Sequence, residues 1–295
     1  MKAYLTEFME RFSYPSPARE ALHLALEKIL ASSDETARFD ALSNAYDRDA
    51  ALDYAALIAE MTALCESVDV HPYTGHLLLF IRLSRRLRER YREQGISETI
   101  WQDSMFDLRY KLEECHLVQG VWGTFVAKWN EGFFNVTRFA LGRLQFELKP
   151  FGFTYEQNGV TLTPDSLVIN THIPRSEQPL TNESVWASYA QAAAFFKDRL
   201  QGAPTAFYCS SWLLFEKHRE MLKPTSNILH FISDFTVVAT GEYKDYGEVW
   251  RLFDRHYTGD PDAMPADSSL RRAYIDLMKK GEKTGWGKGV LLYHE

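Results

Sequence analysis

A histidine, a tyrosine and a cysteine near the ends of two short apolar runs are the side chains best suited to chemistry. His172 closes the run 167–173 and alternates with Asn170 and Val168 on one face of the strand this run predicts. An imidazole changes charge near neutral pH, so His172 is a candidate general base; a hydrogen-bonded strand-end histidine is the plainer alternative. Cys209 closes the run 205–209 and is followed by Ser210 and Ser211. A thiol paired with a histidine permits covalent catalysis, although buried strand cysteines are usually inert. Tyr208 alternates to the other face from Cys209, where it can donate a proton or simply pack.

Arg143, Gln145 and Glu147 alternate with Leu144, Phe146 and Leu148, so one strand face carries three polar groups. Such a row lines a wet cleft or forms the solvated side of an edge strand. His230 and Asp234 pose the same choice on a later run. Glu113 and His116 form one Glu-x-x-His pair, where a carboxylate di-metal bundle needs two, and no metal is expected. No Ser-His-Asp signature, phosphate loop, zinc spacing or dinucleotide fingerprint is present.

Two kinds of element must position these groups. The first part of the chain has helical periodicity over 18–32, 49–68, 74–93 and from Ser97 onward. Six arginines between Arg82 and Arg92 read as a solvated helix face partly neutralised by Glu89 and Glu93. A junction at 120–134 holds Trp122, Phe125, Trp129, Phe133 and Phe134, too many rings for a free linker, and burial between the two halves is expected. Beyond it the period changes to two. Strands are expected at 143–148, 153–157 and 160–163, with Asn158-Gly159 as a tight hairpin turn. Strands 167–173, 205–209 and 228–238 follow, with helices at 186–200 and 215–222 between them. Helices at 246–256 and 268–280 and a final strand at 289–293 complete the order. The fold class is α+β, with domains 1–134 and 135–295.

The chain of 295 residues carries a formal net charge of −7, with no global attraction for nucleic acid or anionic membrane. Three scattered cysteines, no apolar segment long enough to span a bilayer and no leader-like N-terminus point to reduced thiols in a cytoplasmic protein.

The stretches GVWGTFVAKWNEGFFNVTRFALGRLQFEL, SLVINTHIP, CSSWLL and SNILHF resemble a bacterial group of GNAT-like acyltransferases, in which a helical N-terminal domain precedes a GNAT-like C-terminal domain. The resemblance implies a mixed-sheet acyl-CoA N-acyltransferase fold. It implies acyl-CoA as co-substrate and an amine on a small molecule or peptide as acceptor. The acyl-CoA would lie between strands 167–173 and 205–209, with its pyrophosphate at the start of the next helix. That places Asn170, Arg175, Thr181, Asn182 and Ser184 beside the cofactor, and Arg143, Gln145 and Glu147 beside the acceptor. His172 would be the base of a mechanism without a covalent intermediate, and the acceptor is expected where the halves meet. The loop 174–183 departs from the family pattern, since it contains no glycine and includes Glu183. That departure favours the rival reading, a degenerate GNAT fold that binds a ligand or partner without catalysis.

Overall fold

The computed structural model describes residues 1–294. The chain divides into two compact units, Met1–Phe139 and Ala140–Glu295.

The first unit is helical: α1 (Lys2–Arg11), α2 (Ser16–Leu30), α3 (Ser33–Arg48), α4 (Tyr54–Ser67), α5 (Pro72–Glu93) and α6 (Glu98–Gln119), closed by the single turn α7 (Glu131–Phe134). Helices α1 and α3 were not expected from periodicity. Helix α3 buries only Phe39 and Tyr46, seven residues apart, which is too thin a stripe to register as a period. Its start is set chemically: the Ser32 side chain accepts from the Glu35 N–H. Helix α5 is buried all round over Leu77–Ile81 and turns charged afterwards. Its arginines are held by carboxylates, Arg82 by Asp40 at 2.6 Å and Arg86 by Glu93 at 2.7 Å and Glu89 at 3.2 Å. Helix α6 ends at Gly120 in the left-handed region, φ 70°, a common helix stop.

The junction rings find partners inside this helical unit. Phe134 meets Tyr46 and Phe80, Phe125 meets Tyr73, and Trp129 donates to Asp107 at 3.0 Å. Trp122 stacks flat on His116 at 3.6 Å, while Glu113 pairs with Arg109. Among the described residues no cluster of three or more His, Cys, Asp or Glu side chains could hold a metal ion.

The second unit is built on a sheet of β1 (Arg138–Leu141), β2 (Leu144–Pro150), β5 (Leu167–His172), β6 (Ala206–Ser211), β7 (Thr236–Glu242) and β8 (Gly285–Leu292), in the order β1-β2-β5-β6-β8-β7. Strands β5 and β6 run parallel; β2–β5, β6–β8 and β7–β8 are antiparallel. A separate hairpin, β3 (Tyr155–Gln157) and β4 (Val160–Leu162), turns through Asn158 at φ 52° and Gly159 at φ 78°, the pair of left-handed residues a tight hairpin needs. The crossover from β5 to β6 is α8 (Asn182–Phe196). The shorter helices are α9 (His218–Met221), α10 (Asn227–Ser233) and α11 (Trp250–Phe253), and α12 (Ser269–Lys279) precedes β8.

One strand expectation is corrected. Residues 228–233 belong to α10, and β7 begins only at Thr236. The Ser226 side chain accepts from the Ile228 N–H and starts a helix there, so His230 and Asp234 do not share a strand face. A short apolar run does not by itself distinguish helix from strand.

The two faces of the sheet differ. Phe146, Phe207 and Cys209 lie on the face covered by α8, where the Tyr189 ring packs tilted against Phe207 at 4.8 Å. On this face β8 presents Gly285, Gly287 and Gly289, against which Phe215, Leu214 and Phe235 close in turn. A Cβ on Gly287 would collide with the backbone carbonyl of Leu214, which cannot swing away. Gly287→Ala is therefore expected to lower the urea unfolding free energy by about 1–3 kcal/mol; an unchanged midpoint would show that the turn yields freely.

The other face carries Val168, Ala206, Tyr208, Val290 and Leu292, over which the β3–β4 hairpin packs through Phe153, Tyr155, Val160 and Leu162. Gln157 on the hairpin donates to Thr236 of β7 at 3.2 Å. The hairpin covers the N-terminal end of β5. The polar side chains sit beyond it, toward the C-terminal end.

Candidate active site

On the hairpin side of the sheet, strand register brings together Glu147, Asn170 and His172, expected from sequence at the acceptor, the cofactor and the reacting centre respectively. Glu147 of β2 lies opposite Asn170 of β5, and Gln145 lies opposite His172. Partners in register point to the same face, so all four side chains emerge together. Glu147 Oε1 sits 2.8 Å from His172 Nε2 and 3.0 Å from Asn170 Nδ2. Asn170 Nδ2 and His172 Nε2 are themselves 3.0 Å apart. The carboxylate oxygen accepts from the Asn170 amide, and in the tautomer with the ring proton on Nε2 it accepts from the imidazole too, which puts the ring's basic lone pair on Nδ1. Asn170 is buried, while His172 and Glu147 keep 20% and 19% of their side-chain surface. The pair therefore borders solvent without being washed by it.

Tyr208 continues the row on β6, in register with Asn170. Its ring is buried against Phe151 and Phe153. Burial pushes its phenol pKa up, opposed by a hydrogen bond with Ser210, so the hydroxyl keeps its proton at neutral pH.

Cys209 does not face His172. Its register partner is Thr171, on the α8 side of the sheet, and it is fully buried. Burial alone pushes its thiol pKa far up, which removes the thiolate that nucleophilic catalysis requires. A Cys–His pair across these strands is ruled out by parity: the odd-numbered cysteine and the even-numbered histidine point to opposite faces.

Arg143 is also placed differently from expectation. It belongs to the turn between β1 and β2, after Gly142 at φ 72°. Its Nε donates to the Gln178 carbonyl at 2.8 Å and its Nη1 to the Pro174 carbonyl at 3.0 Å. Its own N–H is taken by Ser188 of α8 at 2.8 Å. Arg143 thus fastens the glycine-free loop after β5 rather than lining an acceptor site with Gln145 and Glu147.

The remaining loop residues act as caps and ties. Thr181 caps α8, its hydroxyl accepting from the Ser184 N–H at 3.2 Å. Ser184 Oγ in turn donates to the carbonyls of Thr181 at 2.9 Å and Pro179 at 3.3 Å. Asn182 is the first residue of the helix. Arg175 pairs with Asp254, which Arg271 also holds at 2.6 Å.

The strands themselves part at one end. β5 stays paired with β2 as far as His172, and β6 with β8 as far as Ser211, yet pairing between β5 and β6 stops at Thr171 and Cys209. The parallel strands splay open at their C-terminal ends, beside the Glu147–His172–Asn170 cluster and before the α8 N-terminus.

This sheet order, the splay and the crossover helix agree with the family assignment. The GNAT-like C-terminal domain model matches residues 139–291, and the N-acyltransferase N-terminal domain model matches residues 3–136. The chain belongs to the family that joins an N-acyltransferase N-terminal domain to a GNAT-like C-terminal domain. Among solved structures, an acyltransferase in complex with decanoyl-CoA and teicoplanin shares 20% identity, with a TM-score of 0.73 over 97% of this chain and 87% of that one. A mutant of such an acyltransferase in complex with octanoyl-CoA matches with a TM-score of 0.74, 20% identity and 98% and 87% coverage. A complex with CoA and 10C-teicoplanin matches with a TM-score of 0.71, again at 20% identity, over 97% and 87% of the chains. At this identity the likeness is one of fold. No curated protein matches the chain as a relative.

Proposed function

We propose that this protein transfers an acyl group from acyl-CoA to an amine on a small molecule or peptide. The observation that carries the reading is the splay of β5 from β6 beside the Glu147–His172 pair. The similar structures hold decanoyl-CoA, octanoyl-CoA and teicoplanin, which favours a medium-chain acyl donor and a small-molecule acceptor.

The residues fit such a donor in distinct places. The strand edges that face each other beyond the last β5–β6 pair, Thr171 with Cys209, lie where an amide-bearing arm could run alongside them. The α8 N-terminus offers first-turn N–H groups, of which Thr181 takes that of Ser184. The acyl-CoA supplies a thioester, whose carbonyl carbon an amine can attack. His172 takes a proton from the attacking amine, and Glu147 holds the ring in orientation and stabilises the imidazolium that results. Asn170 fixes the carboxylate. A C–N bond forms, the C–S bond breaks, and Tyr208 stands on the same face to give the departing sulfur a proton. Gln145 borders the acceptor. Cytoplasmic residence belongs to this reading. The three buried free cysteines agree with it, and among the described residues no helix is long and apolar enough to cross a membrane.

One feature favours a rival, a non-catalytic binding protein. The loop lacks glycine, places Glu183 in the first turn of α8 and spends Arg175 on Asp254. Thermal unfolding with octanoyl-CoA separates the two. At a hundredfold excess over Kd a native-state ligand adds about 2.7 kcal/mol, so a rise of several degrees in Tm is expected. No rise with acetyl-, octanoyl- or decanoyl-CoA sinks the enzyme reading.

A further inference from the structure

One charged side chain on the face of the site plays no part in the proposed reaction. Lys149 extends the alternation of Gln145 and Glu147 by one step along β2, opposite Val168 of β5. Since β5 lies between β2 and β6, the lysine stem must cross the face of β5 to reach β6. It does so: Nζ lies over the Tyr208 ring, 4.4 Å from its centre. Lys149 is half-buried and forms no ion pair among the described residues, while Glu147, two positions back, lies 2.8 Å from His172. A surface lysine ordinarily lays its stem on apolar atoms and keeps its head in water. Here the head rests on a ring that is itself buried.

That contact has a chemical consequence. The departing sulfur needs a proton, and burial makes the Tyr208 hydroxyl a weaker acid than an exposed phenol. Phe151 and Phe153 meet the ring at 5.9 and 6.1 Å and carry no charge to offset this. Lys149 does carry one. A cation over a neutral phenol is held by the ring's quadrupole; over a phenolate it meets a full negative charge, so the contact favours the ionised form. Also on this face are the Glu147–His172 pair, Lys288 of β8 in register with Ser210, and Tyr155 of the hairpin, whose hydroxyl donates to Gln157 at 2.6 Å.

We propose that Lys149 is a positioning residue for the proton donor: its ammonium, held over the Tyr208 ring, stabilises the phenolate that Tyr208 becomes when it protonates the departing sulfur. This deepens the acyltransferase reading and rests on it. The O–H bond of Tyr208 breaks as an S–H bond forms. The proton that His172 took from the amine then returns through solvent to the phenolate, so both residues end the cycle as they began it.

The test reads the ionisation of residue 208 directly. Tyr208→difluorotyrosine in the full chain gives a phenol that ionises nearer neutral pH and is followed by fluorine NMR. Adding Lys149→Met, which keeps the stem and removes the charge, should raise the ionisation midpoint by about one pH unit. Lys149→Arg, which keeps the charge, should leave most of the original value. Octanoyl transfer from octanoyl-CoA to hydroxylamine, an amine already unprotonated at neutral pH, then reads the proton donor with little demand on the base. In the difluorotyrosine protein kcat should fall as pH rises through the same midpoint. Lys149→Met should move that limb up in pH by the same amount, with KM for octanoyl-CoA within about threefold. A lysine that only packs on the ring would move neither midpoint nor limb. A midpoint unchanged by Lys149→Met overturns the proposal, as does a shift that appears equally in Lys149→Arg, or a shifted midpoint with an unmoved kcat limb. No turnover in the unaltered protein, alongside a shifted midpoint, sinks the acyltransferase reading instead and leaves the lysine's hold on the phenolate standing.

Discussion

Replacing His172 with Ala should lower kcat for acyl transfer by 10² to 10⁴, the usual worth of a positioned general base, while leaving KM for acyl-CoA within about threefold. The expected separation follows from geometry. The donor would bind along the open strand edges and at the α8 N-terminus, whereas the His172 ring is turned to Glu147 and Asn170. Glu147→Gln tests the pairing itself. Glutamine still accepts a hydrogen bond from Nε2, so the ring stays oriented, but the negative charge that favours the imidazolium is gone. The acid limb of the kcat/KM profile should then move to lower pH, with a fall in kcat smaller than that of His172→Ala. A structural histidine would give neither the shifted limb nor the split between kcat and KM. An unchanged rate in His172→Ala would falsify its role as base.

The parts of this site that sequence alone reveals are those that depend on one strand at a time. The alternation of Gln145 with Glu147, and of Val168 with Asn170 and His172, shows which side chains share a face of their own strand. It does not show which strands are neighbours or in what register, because those pairings join residues more than twenty positions apart. That is why Glu147, Asn170 and His172 carry separate expected roles until the Glu147–Asn170 pairing places them around one oxygen. The same gap misleads over Cys209. Its alternation with Tyr208 is plain, but only the pairing of Asn170 with Tyr208 shows that the tyrosine, not the cysteine, shares the histidine's face. Arg143 fails for a local reason: the strand begins at Leu144, and the left-handed Gly142 turns the arginine toward the Pro174 and Gln178 carbonyls. A local signal decided α10, where the capping Ser226 outweighs a run of apolar residues that reads equally well as a strand.

Acidification should weaken the second unit through His218, by up to about 3 kcal/mol between pH 6.5 and pH 4. His218 is fully buried. Its Nδ1 meets the Leu213 carbonyl at 3.1 Å, its Nε2 meets the Tyr274 hydroxyl at 2.8 Å, and Trp212 and Phe215 pack edge-on to it. Burial lowers its pKa to about 4, against a smaller opposing effect of the Leu213 bond. The folded form therefore stays neutral where the unfolded chain already binds a proton. In that window the unfolded state holds more protons, so stability rises with pH and is lost as pH falls from about 6.5 toward 4. Asp234 works in the opposite sense. Burial raises its carboxyl to about 6, although Trp186 donates to Oδ1 at 3.1 Å, and Oδ2 has no partner. Its contribution is greatest below its unfolded value and is lost as pH rises through 6. The two groups offset each other in the unaltered chain, so variants must separate them. Asp234→Asn should steepen the loss of the urea midpoint between pH 6.5 and 4, and His218→Gln should flatten or reverse it. The slope, rather than the absolute midpoint, is diagnostic, because either substitution can also shift stability uniformly. If the slope is the same in both variants, these two buried groups are not what sets the protein's response to acid.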